Sequence, residues 1–204
     1  MTEEVATVIR RHVAAAILSC LALASSACGD DHGGHAMAPA ATNAVMKQLG
    51  VNGADVTFAQ MMIPHHEQAI EMAELALDPK AGAGAEVRAL ATAIRGAQDP
   101  EITTMKGWLS SWGAPLAPDP AKHDMSKMQG MMSADEMRAL GQQTGAAFDK
   151  RWLAMMIRHH EGAIVMAKDV TSGGSFASVK TLAGQVIAGQ QAEIDQMRRL
   201  LAGG

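Results

Sequence analysis

Apolar side chains recur at steps of three and four residues along the central part of the chain, which is the spacing of one face of an α-helix. One such series runs from Phe58 to Met72, and another runs from Val87 to Leu109. Strands would alternate apolar and polar residues, and these segments do not. The pattern therefore predicts an all-α fold.

The chain contains an internal repeat. Residues 61–73, MMIPHHEQAIEMA, return at 155–167 as MMIRHHEGAIVMA, and the apolar positions of 90–109 return at 182–201. Short polar and glycine-rich breaks at 78–82 and 172–175 divide each half into two helices, so each half is expected to be an antiparallel hairpin. Two hairpins predict a four-helix bundle over 51–202, with repeat 1 at about 51–112 and repeat 2 at about 133–202.

Local signals set the expected helix boundaries. Ser133 and Glu136 have the spacing of a capping box and should begin the third, longer helix. Pro64 lacks the N–H of a helical residue and predicts a kink or a late helix start, whereas Arg158 at the matching place predicts a straight helix. The segment between the repeats, 113–132, should cross the outside of the bundle as a loop.

Composition removes other classes of protein. Apolar residues make up 48% of the 204 residues and charged residues 19%, which is typical of a folded domain. Aromatic residues are only 3%, which disfavours an all-β fold. The net charge is −4 with scattered basic residues, so no nucleic-acid partner is expected.

The amino terminus has the form of an export signal. Arg10 and Arg11 precede an apolar run that is too short to span a bilayer, and small residues follow it up to Cys28. We expect a signal peptide over 1–27, lipidation of Cys28, and a flexible tether over 28–50. Ordinary cleavage near Ala27, use of Cys20 and twin-arginine export are the alternatives. The protein is therefore expected in the periplasm or on the outer cell surface, with a lipid as its only link to a membrane.

The histidines of the repeat do not all point the same way. At about 100° per residue, His65 lies at the centre of the apolar face, and the repeat gives His159 the same position. His66 and His160 lie at the edge of that face. Glu67 and Glu161 should point towards water.

Polar residues also occupy the apolar face of the second helix in each half. Gln98 and Glu101, and their counterparts Gln190 and Glu193, fall among apolar positions. A buried carboxylate is costly unless it is paired or binds a metal. We expect these four residues to support histidine ligands, because a metal-bound imidazole usually donates its other N–H to a carboxylate or carbonyl.

The content of 16 methionines and 8 histidines favours copper. Thioethers are soft ligands that bind Cu(I), and imidazole binds both Cu(I) and Cu(II). The crossing loop adds further candidates for an accessory site, namely His123, Met125, Met128, Met131 and Met132. Zinc-protease and di-iron carboxylate motifs are absent, since Ile70 and Ile164 stand where those motifs place histidine.

The doubled histidine motif and the Gln-x-x-Glu-Ile-x-x-Met pattern beginning at Gln98 resemble the family catalogued as domain of unknown function 305. The resemblance covers about residues 50–202 and implies a ferritin-like four-helix fold and, as in the exported CopM-like members, copper binding. It implies a ligand pool of Met61, Met62, His65, His66, Met72, Met155, Met156, His159, His160 and Met166.

These observations predict an exported protein that sequesters, buffers or transfers copper, with a copper transporter or chaperone as a candidate partner. No catalytic residue is required for that role. Two alternatives stay open: a metal-dependent oxidase, favoured if Glu101 and Glu193 bind the metal directly, and a metal-free structural module.

Overall fold

The computed structural model describes residues 39–119, 121 and 128–203, and within these stretches it contains helices and no strands. The export signal, Cys28 and the first part of the expected tether lie outside the described residues. The all-α prediction is confirmed. The helices are α1 (Pro39–Gln48), α2 (Gly53–Leu77), α3 (Ala85–Trp112), α4 (Ala134–Gly141), α5 (Gly145–Gly173) and α6 (Ala177–Gly203), with a 3-10 turn at Pro79–Ala81.

The four long helices form two hairpins. Helix α2 packs along α3, and α5 packs along α6, while the two hairpins meet mainly through α2 and α5. This is the four-helix bundle of two repeated hairpins that the sequence predicts. The interface between α2 and α5 brings the two copies of the histidine motif together.

The core consists of two apolar clusters. One lies around the C-terminal half of α2 and the N-terminal half of α5, and includes Met72 and Trp152. The other lies around the N-terminal half of α2 and the C-terminal half of α5, and includes Met62 and Val170. The buried histidines belong to neither cluster. A polar layer therefore separates two apolar halves of the core.

Each repeat caps the other through one aspartate. Asp55, in the first turn of α2, is fully buried and accepts hydrogen bonds from the backbone N–H groups of Ser175 and Phe176 at the start of α6. Asp149, at the same place in repeat 2, accepts from the N–H of Gly84 just before α3 at 3.0 Å. These bonds satisfy orphan donors at helix starts and join the two hairpins.

Three local expectations differ from the structure. Ser133 does begin a helix with a capping box, but α4 ends at Gly141 and the long helix begins only at Gly145, which has φ +59°. Glycine tolerates that left-handed conformation and weakens a helix interior, so the two glycines account for the break. Helix α2 begins at Gly53 and continues through Pro64, so the late helix start does not occur.

The third difference concerns the expected tether. Its last part contains α1, and Met46 on that helix packs against the second apolar cluster. The alanine-rich composition of 39–48 supports helix formation there. None of the helices in the described stretches is long and apolar enough to cross a membrane.

Candidate metal centre

The two copies of the histidine motif face each other at the centre of the bundle. All four histidines are fully buried. The ring centroids of His65 and His159 are 3.8 Å apart, with 37° between the ring planes. The inward orientation expected for these two rings is therefore present, and the two hairpins contribute one ring each.

Burial keeps the central rings neutral. Removal from water, together with the neighbouring His66, lowers the pKa of His65 from 6.5 to about 3. Burial and the adjacent His65 place the pKa of His159 well below its usual value. Neutral imidazole retains a lone pair, which is the form that binds a metal ion.

Hydrogen bonds fix which ring nitrogen is free. His66 Nε2 lies 2.7 Å from Glu101 Oε2, and His160 Nε2 lies 2.7 Å from Glu193 Oε2. His65 Nε2 lies 3.2 Å from the backbone oxygen of Gln129. Because a carboxylate or carbonyl oxygen only accepts, the hydrogen is on Nε2 in each case. In the neutral ring, Nδ1 then carries the available lone pair.

The polar layer contains a set of buried polar atoms with no hydrogen-bond partner. Among the described residues, every buried side-chain nitrogen or oxygen without a partner belongs to the four histidines or to the buried glutamines of α3 and α6. The atoms are Nδ1 of His65, His66, His159 and His160, Nε2 of His159, Nε2 and Oε1 of Gln98, and Oε1 of Gln190. Buried polar groups are rarely left unpaired, so the layer fits a bound ligand.

The two glutamates contact histidines of the motif but are less buried than expected. Glu101 and Glu193 have 21% and 20% of their side chains exposed. Their partners are His66 and His160, which flank the central pair. His66 and His160 themselves are fully buried, although the helical wheel places them at the edge of the apolar face. Helical periodicity gives a direction but not a depth, and contacts from α3 and α6 cover these flanking rings.

Gln98 and Gln190 are buried as expected, with exposed fractions of 2% and 5%. Glu67 and Glu161 face the solvent as expected, and each pairs with a basic residue of its own hairpin. Glu67 binds Lys106 and Glu161 binds Arg198, both at 2.8 Å. These surface pairs hold the two helices of each hairpin and do not take part in the polar layer.

The methionines of the expected ligand pool fall into two groups. Met62, Met72, Met155 and Met156 are buried in the apolar clusters that border the polar layer. Met61 and Met166 are only partly buried and line an outer groove of about 330 Å³ together with Phe58 and Val170. The buried group is divided between the two clusters, with Met62 in one and Met72, Met155 and Met156 in the other.

The described end of the crossing loop lies against α2 and α5 beside the histidine motif. We call residues 128–132 the strap. Met128 and Met132 are buried, and Met131 is partly exposed. The accessory candidates His123 and Met125 lie outside the described residues. The strap is held by the side chain of Gln68 and by close packing on Gly162.

Sequence reasoning missed Gln68, Gly162, Asp55 and Asp149. A signal for the first two was present, because they occupy one position of the repeat and differ between its copies. The signal for the aspartates was identity between the copies, since both carry Asp six residues before the Met-Met pair.

Within residues 39–119, 121 and 128–203, no group of three or more His, Cys, Asp or Glu side chains is arranged to hold a metal ion. The donors of the layer are imidazole nitrogen and amide groups, with thioether sulfur in the bordering clusters. This set matches soft ions such as Cu(I) better than Mg²⁺, Ca²⁺ or Mn²⁺.

Comparison with known families places the chain. The family model described as domain of unknown function DUF305 matches residues 55–201. The chain belongs to the DUF305 family. No match was found among curated proteins.

Solved structures of DUF305 proteins share the fold. A DUF305 protein from Streptomyces coelicolor, named as secreted, has 36% identity and a TM-score of 0.68, covering 74% of this chain and 93% of its own. A DUF305 fragment from Deinococcus radiodurans has 29% identity and a TM-score of 0.67, covering 76% and 99%. CopM in its Cu(I)-bound form has 33% identity and a TM-score of 0.61, covering 73% and 96%. CopM structures with Cu(II) and with silver also match.

Proposed function

We propose that this DUF305 protein binds copper outside the cytoplasm and buffers, sequesters or transfers it, with Cu(I) as the preferred ion. The observation that carries the proposal is the buried, neutral pair of His65 and His159, contributed by two copies of one motif. Similarity to CopM, whose structures contain Cu(I), Cu(II) or silver, supports the choice of ion.

The chemistry of the layer supports binding rather than catalysis. The rings of His65 and His159 would be the central ligands, with His66 and His160 beside them and with Met62, Met72, Met155 and Met156 as buried thioether donors. Met61 and Met166, which face the outer groove, would take part only in loading. Glu101 and Glu193 accept hydrogen bonds from Nε2 of the flanking rings, a common way to orient a ligand histidine.

Export and anchoring complete the proposal. The similarity to a DUF305 protein named as secreted supports export. We propose that a lipid on Cys28 attaches the mature chain to a membrane and that residues after Cys28 give the bundle reach. A copper transporter or chaperone would supply or receive the ion.

Anaerobic titration of the mature protein with Cu(I) against a competing chelator tests the function. The wild-type protein should withdraw copper from the chelator, and the double variant His65→Ala/His159→Ala should not. Ile94→Ala is the matched control, because Ile94 is fully buried in the same bundle but offers no donor atom. A metal-free structural module would lose stability in both variants and would take up no copper in any of them.

A further inference from the structure

The strap is fastened to helix α2 by one side chain. The amide of Gln68 donates from Nε2 to the backbone oxygen of Met132 at 2.8 Å, and its Oε1 accepts from the N–H of Met132 at 2.7 Å. A side-chain amide that makes both bonds to one residue acts as a clamp. Repeat 2 has Gly162 at this position and therefore has no matching clamp.

Helix α5 receives the strap because it has no side chain at that same position. A Cβ atom on Gly162 would overlap the carbonyl of Gln129. Gly130 also lies close to α5, since a Cβ there would lie 2.8 Å from the carbonyl oxygen of Arg158 and 2.9 Å from that of His159. Its φ of +85° also requires glycine. The strap backbone therefore lies directly on the helix that carries His159.

The strap also connects the central pair to the surface of the bundle. The backbone oxygen of Gln129 accepts a hydrogen bond from His65 Nε2, and Gln129 itself is an exposed residue. A fully buried imidazole therefore contacts the backbone of a residue that is in contact with solvent.

We propose that the strap is a gate that controls access to the metal centre, and that Gln68 and Gly162 are its positioning residues. When the strap is fastened, its Gln129 carbonyl holds His65 with Nδ1 free and closes the pair; when it lifts, a soft cation enters or leaves. The strap brings Met128 and Met132 with it, so the ion passes thioethers on the way. This inference rests on the proposed copper binding.

Three variants and two controls test the proposed gate. Gln68→Ala removes both clamp bonds, Gly162→Ala pushes the Gln129 carbonyl away, and Gln68→Glu keeps only the oxygen that accepts from Met132. Gly189→Ala is the control for Gly162, because a Cβ at Gly189 meets nothing within 4 Å on α6. Gln191→Ala is the control for Gln68, because Gln191 is exposed and bonds only to its neighbour Asp195.

The first readout uses the metal-free protein. Amide hydrogen exchange at Met132 should be roughly tenfold faster in Gln68→Ala, in keeping with the loss of two hydrogen bonds. The ring nitrogen resonances of His65 should show hydrogen on Nε2 in the wild type and a mixture of tautomers in Gln68→Ala and Gly162→Ala. A merely structural role would leave the ring unchanged.

The second readout is the rate at which Cu(I) leaves the loaded protein for a chromophoric chelator in excess. We expect roughly tenfold faster transfer in Gln68→Ala, an intermediate rate in Gln68→Glu, and wild-type rates in both controls. If Gly162→Ala does not fold, the Gln68 pair decides. An unchanged rate of Cu(I) transfer in Gln68→Ala despite faster exchange at Met132 would overturn the proposed gate. A wild-type protein that takes up no Cu(I) would overturn the proposed function and, with it, the gate.

Discussion

The two hairpins share the residues that build the polar layer and differ where a single connection must lie on one of them. His65 and His159, Glu101 and Glu193, and Asp55 and Asp149 occupy matching positions in the two copies. The two glutamates also make matching contacts, each with the flanking histidine of its own hairpin.

The differences gather near the strap. Gln68 of repeat 1 corresponds to Gly162 of repeat 2. Pro64 corresponds to Arg158, whose side chain contacts Met132 and Glu136. A pseudo-twofold bundle has one crossing segment, so its two hairpins contact that segment through different residues. The comparison teaches that the duplicated histidines lie at the centre of the bundle, whereas the diverged residues Gln68, Gly162 and Arg158 contact the strap.

The largest expected effect concerns acid and the two central rings. The pKa of His65 is about 3 in the folded state and 6.5 in the unfolded chain, and that of His159 is lowered in the same direction. The unfolded chain therefore binds protons first as the pH falls. Stability of the metal-free protein should be constant above pH 6.5 and should fall below it, by about 1 kcal/mol per pH unit for each ring.

Denaturant unfolding at a series of pH values measures this effect. His65→Gln and His159→Gln should each remove roughly half of the dependence, since the halves contribute one ring each. A profile below pH 6.5 that neither substitution alters would show that other groups cause the acid sensitivity.

The two aspartates that cap helix starts should contribute unequally to the free energy of unfolding. Asp55 is fully buried and accepts bonds from Asn52, Ser175 and Phe176, whereas Asp149 is partly exposed and accepts from Gly84 alone. We expect Asp55→Ala to lower the free energy of unfolding by about 3 kcal/mol and Asp149→Ala by about 1 kcal/mol. Equal losses in urea unfolding would contradict the burial difference.

Much of this architecture follows from the sequence because helical periodicity and an internal repeat are both local signals. They predict the two hairpins, the inward rings of His65 and His159, and the outward carboxylates of Glu67 and Glu161. They do not predict depth, which depends on neighbouring helices. His66 and His160 are therefore deeper than expected, and Glu101 and Glu193 pair with them.

Contacts between distant segments were beyond the pattern. The capping box at Ser133 identifies a helix start but not the break before Gly145, because the break depends on a left-handed glycine. The clamp of Gln68 joins residues 64 positions apart, and no spacing rule connects them. The repeat could have indicated it only as a position where the two copies disagree.

The two glutamates, in contrast, should contribute equally to the affinity for Cu(I). Glu101→Gln and Glu193→Gln each weaken the bond that orients a flanking imidazole, so each should reduce Cu(I) affinity by about tenfold to a hundredfold. Competition with a chelator measures the affinity. The two losses should agree within a factor of about three, and a loss confined to one half would show that only one flanking ring supports the ion.

The smallest effect is expected at the duplicated surface pairs. Lys106→Ala and Arg198→Ala each remove one ion pair with Glu67 or Glu161, in which both side chains are about half exposed. Such pairs contribute less than about 1 kcal/mol, and salt screens them. Thermal unfolding at low and high salt should show two small and similar losses. A large loss in either variant would mean that the pair also supports the polar layer.

The most direct test of a centre shared by both hairpins is the amount of tightly bound Cu(I) in two single variants, His65→Ala and His159→Ala, titrated anaerobically beside the wild type. A shared centre predicts that either substitution alone removes the same tightly bound copper. If each variant instead retains half of the tight binding of the wild type, the hairpins bind copper independently, and the facing rings of His65 and His159 do not form one site.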